Sequence, residues 1–156
     1  MRNIAIYKAT LDNEEIDQLK SVLQAKDDLS KVLEFEEKMV KYIGAKYAIA
    51  TATSTAALHL ALSSMRLKRG DKVLMSVNSF VNLPETVRHF DAEPIFVDIN
   101  LEDMNLDIEK FEETIIANKS KKLRAAIITF IGGLAPNLDK IYEIGKKYNI
   151  LIIEDC

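Results

Sequence analysis

Two uninterrupted apolar runs, Ala125 to Ile128 and Ile150 to Ile153, constrain this chain more than any other feature. Neither alternates apolar with polar residues, so neither suits a sheet with one wet face. Runs of this kind belong to parallel strands covered on both faces. Parallel neighbours need a crossover between them, usually a helix, and stretches of helical period stand where the crossovers are needed. Tyr47 to Thr51 reads as a short buried strand, and Thr53 to Leu67, rich in Ala and Leu, as a helix. After the Gly70-Asp71 turn comes a strand at Lys72 to Ser76, then a short helix at Leu83 to Phe90 with Pro84 tolerated in its first turn. Pro94 to Asp98 is a strand, and Ile108 to Ala117 a helix whose apolar positions continue those of Leu106. Arg124 to Phe130 is a strand ending at the Gly132-Gly133 turn, Leu138 to Tyr148 a helix with Ile141 and Ile144 inward, and Ile150 to Glu154 the last strand. The predicted fold class is α/β: a mostly parallel sheet with helices on both faces.

Residues 1–45 follow a helical rhythm alone. From Asp12 to Ala25, the side chains of Ile16, Leu19, Val22 and Leu23 share one helical face, and Asp12 caps the start. A polar stretch around Lys26 to Lys31 precedes a second stripe, Phe35, Met39, Val40 and Ile43, which Gly44 ends. The expected organisation is a helical segment 1–45 joined to an alternating core 46–156, without a Gly/Ser/Pro-rich linker. A doubly wound domain normally continues into a helix over its last strand, so the stop at Cys156 is expected to mark a portion of a larger enzyme.

Composition narrows the function classes. A net charge of −3 without a basic cluster argues against nucleic acid. The single cysteine, Cys156, rules out an intramolecular disulfide. No apolar run approaches the roughly 20 residues of a membrane span, and no signal pattern opens the chain; the cytoplasm is the expected compartment. The histidines, His59 and His89, sit in helical surroundings, and no cluster has metal-ligand spacing.

In open parallel sheets, ligands lie beyond the carboxyl ends of the strands. Three places there carry chemistry. Thr53, Ser54 and Thr55 lead from a strand into an apolar helix, where free N–H groups and the helix dipole favour a phosphate; the plainer reading is that Thr53 or Ser54 is an N-cap. Phe80 follows a strand end and can stack on a planar ligand, or else it packs into the core as a loop aromatic. Asp155 ends a buried apolar run, where a carboxylate needs a partner. That partner can be a protonated pyridine nitrogen; a metal, a following helix start and a frayed end are the alternatives. Asp98 reads as a turn or cap residue.

The order of these features resembles the DegT/DnrJ/StrS aminotransferases. Thr53-Ser54-Thr55-Ala56-Ala57-Leu58-His59-Leu60 is similar to their phosphate-binding helix start, and Ser79-Phe80-Val81 to the turn bearing their stacking aromatic. Pro94 to Asp98, Asn105-Leu106-Asp107, the loop with Gly133, Asn137 and Asp139, and Ile152-Ile153-Glu154-Asp155 also match, so the resemblance spans nearly the whole chain. It implies the first part of the large domain of a fold-type I enzyme dependent on pyridoxal 5′-phosphate, working as a homodimer. It further implies transfer of an amino group from a donor such as glutamate to a nucleotide-linked keto sugar. Ser54 and Thr55 would hold the cofactor phosphate, Phe80 would stack on its ring, and Asp155 would pair with the ring nitrogen.

This sequence also departs from the pattern. Ser54 stands for a small Gly or Ala, Phe130 for a histidine, Asn82-Leu83 for an Ala-Thr pair, and Lys31 for a glycine. The family's Schiff-base lysine finds no matching motif, so residues 1–156 are expected to be inactive alone. Other expectations are a catalytically silent remnant or interaction module of the same fold, and a different fold-type I enzyme such as a lyase or desulfurase.

Overall fold

A computed structural model describes residues 8–25 and 29–156. The chain divides into two compact units, Met1–Ala50 and Thr51–Cys156.

The first unit holds α1 (Asn13–Ala25) and α2 (Ser30–Ile43). Asp12 caps α1 as anticipated: its Oδ1 accepts the N–H of Glu14 at 2.8 Å, and the Glu15 carboxylate accepts the N–H of Asp12 at 2.7 Å. At the other helix, Gly44 takes a left-handed φ of 73° and returns its N–H to the Val40 carbonyl, a conformation that costs glycine least. Ser30 and Lys31 open α2, whereas residues 26–28 of the polar stretch lie outside the described residues. The apolar stripes form, but no residue of either helix is buried. The strand anticipated at Tyr47 to Thr51 does not form. An apolar run becomes a strand only where a neighbour takes up its N–H and C=O groups, and the described strands pair only with one another. Instead Ala50 donates its N–H to Glu36 Oε1 at 2.8 Å, while Tyr47 and Ile49 are each 75% exposed.

The second unit alternates as its pattern requires: α3 (Ser54–Ser64), β1 (Lys72–Ser76), α4 (Asn82–Arg88), β2 (Glu93–Val97), α5 (Ile108–Ala117), β3 (Leu123–Thr129), a 3-10 turn (Ile131–Gly133), α6 (Leu138–Tyr148) and β4 (Leu151–Asp155). The four strands form one parallel sheet in the order β2-β1-β3-β4, with Leu74 beside Ile95 and Ala126, and Ile127 beside Ile153. The pleat sends Val73, Met75, Ala125 and Ile127 to one face, where Leu58 and Leu62 of α3 and Leu83 and Val87 of α4 pack on them. Leu74, Ala126 and Ile128 face the other way, onto Phe111 and Ile115 of α5 and Ile141 and Ile144 of α6. Helices therefore cover both faces, as the continuous apolar runs required. The α6–β4 approach depends on Gly145, because a Cβ there would come within 3.0 Å of Ile152 Cγ1 and 3.2 Å of the Ile150 carbonyl oxygen.

Below the sheet, at the amino ends of the strands, Asp71 is buried and pairs with Lys122 at 3.4 Å and Arg124 at 3.5 Å. Its carboxylate also accepts the Lys68 N–H at 2.9 Å. This ionic knot ties together the amino ends of β1 and β3.

Candidate cofactor site

The chain enters α3 through Thr53, whose backbone is extended (φ −150°) and whose Oγ1 accepts the N–H of Ala56 at 3.1 Å. The ladder begins when Ala57 donates to the Thr53 carbonyl at 3.1 Å. Thr53 is thus the cap, and Ser54 and Thr55 are the first helical residues. Their N–H groups have no acceptor within the helix, and they point out of its positive end.

At β4 the last residue, Asp155, is half-buried. Its Oδ2 accepts the Thr129 hydroxyl at 3.4 Å, and its carbonyl accepts the Phe130 N–H at 2.9 Å. The acid is ordered by β3 and is not a frayed end.

Ser54 and Asp155 line one cleft of about 260 Å³, floored by Leu58, Ala61 and Ile153. Residues far apart in sequence meet here because α3 packs over the face of the sheet to which Ile153 points. Ala57, Glu154 and Cys156 also line it, and no lysine lines the cleft among the described residues. The Glu154 carboxylate accepts the Tyr142 hydroxyl, and that hydrogen bond pushes the Tyr142 phenol above its ordinary pKa.

Thr55 and Phe80 do not line this cleft. Phe80 is 75% exposed and does not pack into the core. It stands in a turn held by Ser79 Oγ, which donates to the Ser76 carbonyl at 3.0 Å, and by the Asn78 N–H on Ser76 Oγ at 3.1 Å. A bond from Asn82 Nδ2 to Thr55 Oγ1 at 3.2 Å ties this turn to the start of α3. Asp98 plays the turn role anticipated, its Oδ1 accepting the Ile99 N–H at 2.9 Å. His59 is exposed, its ring 4.7 Å from that of Phe90.

Sequence reasoning missed two amides. Asn105 is fully buried; its Nδ2 donates to the Leu134 carbonyl at 3.1 Å, and its Oδ1 accepts the Ile131 N–H at 3.0 Å. It therefore sets the backbone of the glycine turn after β3. In the sequence Asn82 stands out only as a departure from the family pattern. Nothing local signals either role, since the partners lie in distant loops.

The donor set fits a flat, phosphorylated, ring-protonated ligand such as pyridoxal phosphate. The cleft brings the Ser54 helix start and its hydroxyl to the same place as an ordered carboxylate, while Thr55 and Phe80 stand outside it. Among the described residues no group of acids, histidines or cysteines is placed to hold a metal, and no helix is long and apolar enough to cross a membrane.

A parallel sheet covered by helices on both faces, with hydroxyls and a carboxylate beside its carboxyl ends, defines a doubly wound α/β domain. Residues 9–156 match the DegT/DnrJ/EryC1/StrS aminotransferase family, and the chain belongs to that family. It is 35% identical over 144 residues to an uncharacterised protein of Methanocaldococcus jannaschii, covering 92% of this chain and 36% of the relative. It is 33% identical over 151 residues to the UDP-4-amino-4,6-dideoxy-N-acetyl-beta-L-altrosamine transaminase of Campylobacter jejuni, covering 94% of this chain and 39% of that one. The solved GDP-4-keto-6-deoxy-D-mannose-3-dehydratase of E. coli, with bound hydrated pyridoxal phosphate, superposes with a TM-score of 0.88 at 25% identity. That match covers all of this chain and 41% of the dehydratase chain. The chain thus spans about two fifths or less of the length of these proteins.

Proposed function

We propose that residues 1–156 are the cofactor-holding N-terminal portion of an aminotransferase dependent on pyridoxal 5′-phosphate. Its reaction converts the ketone of a nucleotide-linked sugar to an amine, with an amino acid such as glutamate as donor, in amino-sugar biosynthesis. The observation that carries this reading is the cleft shared by Ser54 and Asp155 at the strand mouths, in a chain of this family. The protein would act in the cytoplasm as a homodimer on small molecules, without nucleic acid or membrane.

When bound, the cofactor supplies an electron sink for the carbon that bears the transferred nitrogen. The chain's own residues bind and orient. Ser54 and Thr55 offer backbone N–H and hydroxyl donors to the phosphate at the positive end of α3. Asp155 would accept the ring N–H and keep that proton in place, because a charged ring in a half-buried cleft is costly without a counter-charge. Thr129 orders the carboxylate through Oδ2. Phe80 would offer one ring face for stacking.

A second reading is dehydration of the same class of keto sugar, favoured by the likeness to the E. coli dehydratase. Both readings meet one test. The full-length protein that carries residues 1–156 is incubated with pyridoxal phosphate, glutamate and a nucleotide-linked 4-keto sugar, and the sugar product is identified by mass spectrometry. An aminated sugar formed together with 2-oxoglutarate supports transamination. A sugar that has lost a hydroxyl supports the second reading, and an unchanged sugar across several nucleotide-linked ketones overturns both.

A further inference from the structure

We propose that Asn82 is a positioning residue for the cofactor phosphate: its side-chain N–H turns the Thr55 hydroxyl outward as a hydrogen-bond donor. This rests on the reading of the Ser54-Thr55 helix start as the phosphate site.

Asn82 is the first residue of α4, two positions after Phe80. Its Nδ2 donates to Thr55 Oγ1 at 3.2 Å, across the gap between α4 and α3. Its Oδ1 is buried and accepts no hydrogen bond. A buried amide oxygen without a donor is unfavourable. What the amide adds is the bond to Thr55.

That bond has a direction. Thr55 Oγ1 accepts, so one lone pair is occupied by Asn82 and the hydroxyl proton must point elsewhere. Beyond Thr55 lies the open end of α3, where the N–H groups of Ser54 and Thr55 also point. A hydroxyl fixed in this way meets an incoming group as a donor. A phosphate dianion offers only acceptors, so it gains from a hydroxyl whose proton is already turned toward it. A neutral or cationic group would not. The same bond links the turn carrying Phe80 to the phosphate end.

The test uses two probes that differ only in the phosphate, pyridoxamine 5′-phosphate and pyridoxamine, neither of which forms an imine with lysine. Dissociation constants are measured by calorimetry on the full chain and on Asn82→Ala, Asn82→Asp, Thr55→Val and Asn82→Ala/Thr55→Val. Asn82→Ala is expected to weaken the phosphorylated probe roughly three- to tenfold, the size of one ordinary hydrogen bond, and to leave pyridoxamine unchanged. Asn82→Asp is nearly isosteric, but it can only accept and carries charge. It turns the hydroxyl inward and repels the phosphate, and is expected to weaken binding more than Asn82→Ala does. With Thr55→Val in place, Asn82→Ala should cost nothing further. An equal loss for both probes, additive losses in the double variant, or unchanged affinity in Asn82→Asp overturns the inference. A wild type that prefers the phosphorylated probe while the variants keep that preference sinks the inference alone. A wild type without any preference sinks the phosphate-site reading as well.

Discussion

Thr129 Oγ1 and Asp155 Oδ2 stand 3.4 Å apart, and the same two strands are joined beyond them by the Phe130 N–H on the Asp155 carbonyl at 2.9 Å. The carboxylate is therefore held by the sheet itself. If Asp155 receives a ring N–H, Asp155→Asn keeps the shape and loses the charge. Hydrogen bonds to charged groups contribute about 1.5–3 kcal/mol, so pyridoxamine 5′-phosphate should bind about tenfold to a hundredfold more weakly. The urea midpoint should move little. Unchanged affinity in calorimetry would sink the assignment of Asp155.

The start of α3 yields a stability prediction independent of any ligand. Thr53 Oγ1 holds the Ala56 N–H at 3.1 Å. Thr53→Ala removes that acceptor and should destabilise the protein by about 1 kcal/mol, whereas Thr53→Ser should be nearly neutral. Urea denaturation of the three proteins reads the difference. Equal stability of Thr53→Ala and wild type would mean that the cap does not hold α3 in place.

Much of the core was legible because its residues obey two local rules at once. β1 and α6 fall where their periodicity puts them, at Lys72–Ser76 and Leu138–Tyr148, since burial on both faces demands apolar residues and the flanking turns stop each element. Tyr47 to Thr51 has the right residues and no strand beside it, and periodicity cannot announce a missing partner. At the site, Asp155 was readable from topology, because it ends a buried parallel strand; Ser54 reaches it through the packing of α3 on the sheet, since the strand expected before it does not form. The exposure of Phe80 was not, since a loop aromatic has the same sequence whether it faces water or core. Asn105 and Asn82 were silent for a related reason: they bond to residues 26 to 29 positions away, across loops whose course only the fold defines.

Asn105 should matter for the fold more than its loop position suggests. It is fully buried, and one amide satisfies both the Ile131 N–H and the Leu134 carbonyl. Asn105→Ala leaves both groups without that partner. Because Leu134 is exposed and Ile131 partly so, water relieves some of the loss, and a cost of about 1–3 kcal/mol follows. Faster amide hydrogen exchange at Ile131 should accompany it. A variant as stable as wild type, with Ile131 still protected, would show that the glycine turn holds its shape without Asn105.

The ion pairs of α2 make a prediction about acid. Glu34 takes a hydrogen bond from Lys31 at 2.9 Å and from Lys38 at 2.6 Å, and these two bonds pull its pKa from the ordinary 4.5 down to about 2. The depressed value gives the sign. Folding favours the ionised carboxylate, so the contribution is complete above the unfolded pKa of 4.5 and is lost as pH falls through about 2. The groups are exposed, so the effect is small and screened by salt. α2 should lose part of its helicity over that window, by far-UV circular dichroism at low ionic strength, and Glu34→Gln should lose none of it there. High salt should flatten the wild-type curve toward that of Glu34→Gln. A Glu34 carboxyl that titrates near its ordinary value by NMR would mean that the Lys31-Glu34-Lys38 triad does not persist in solution.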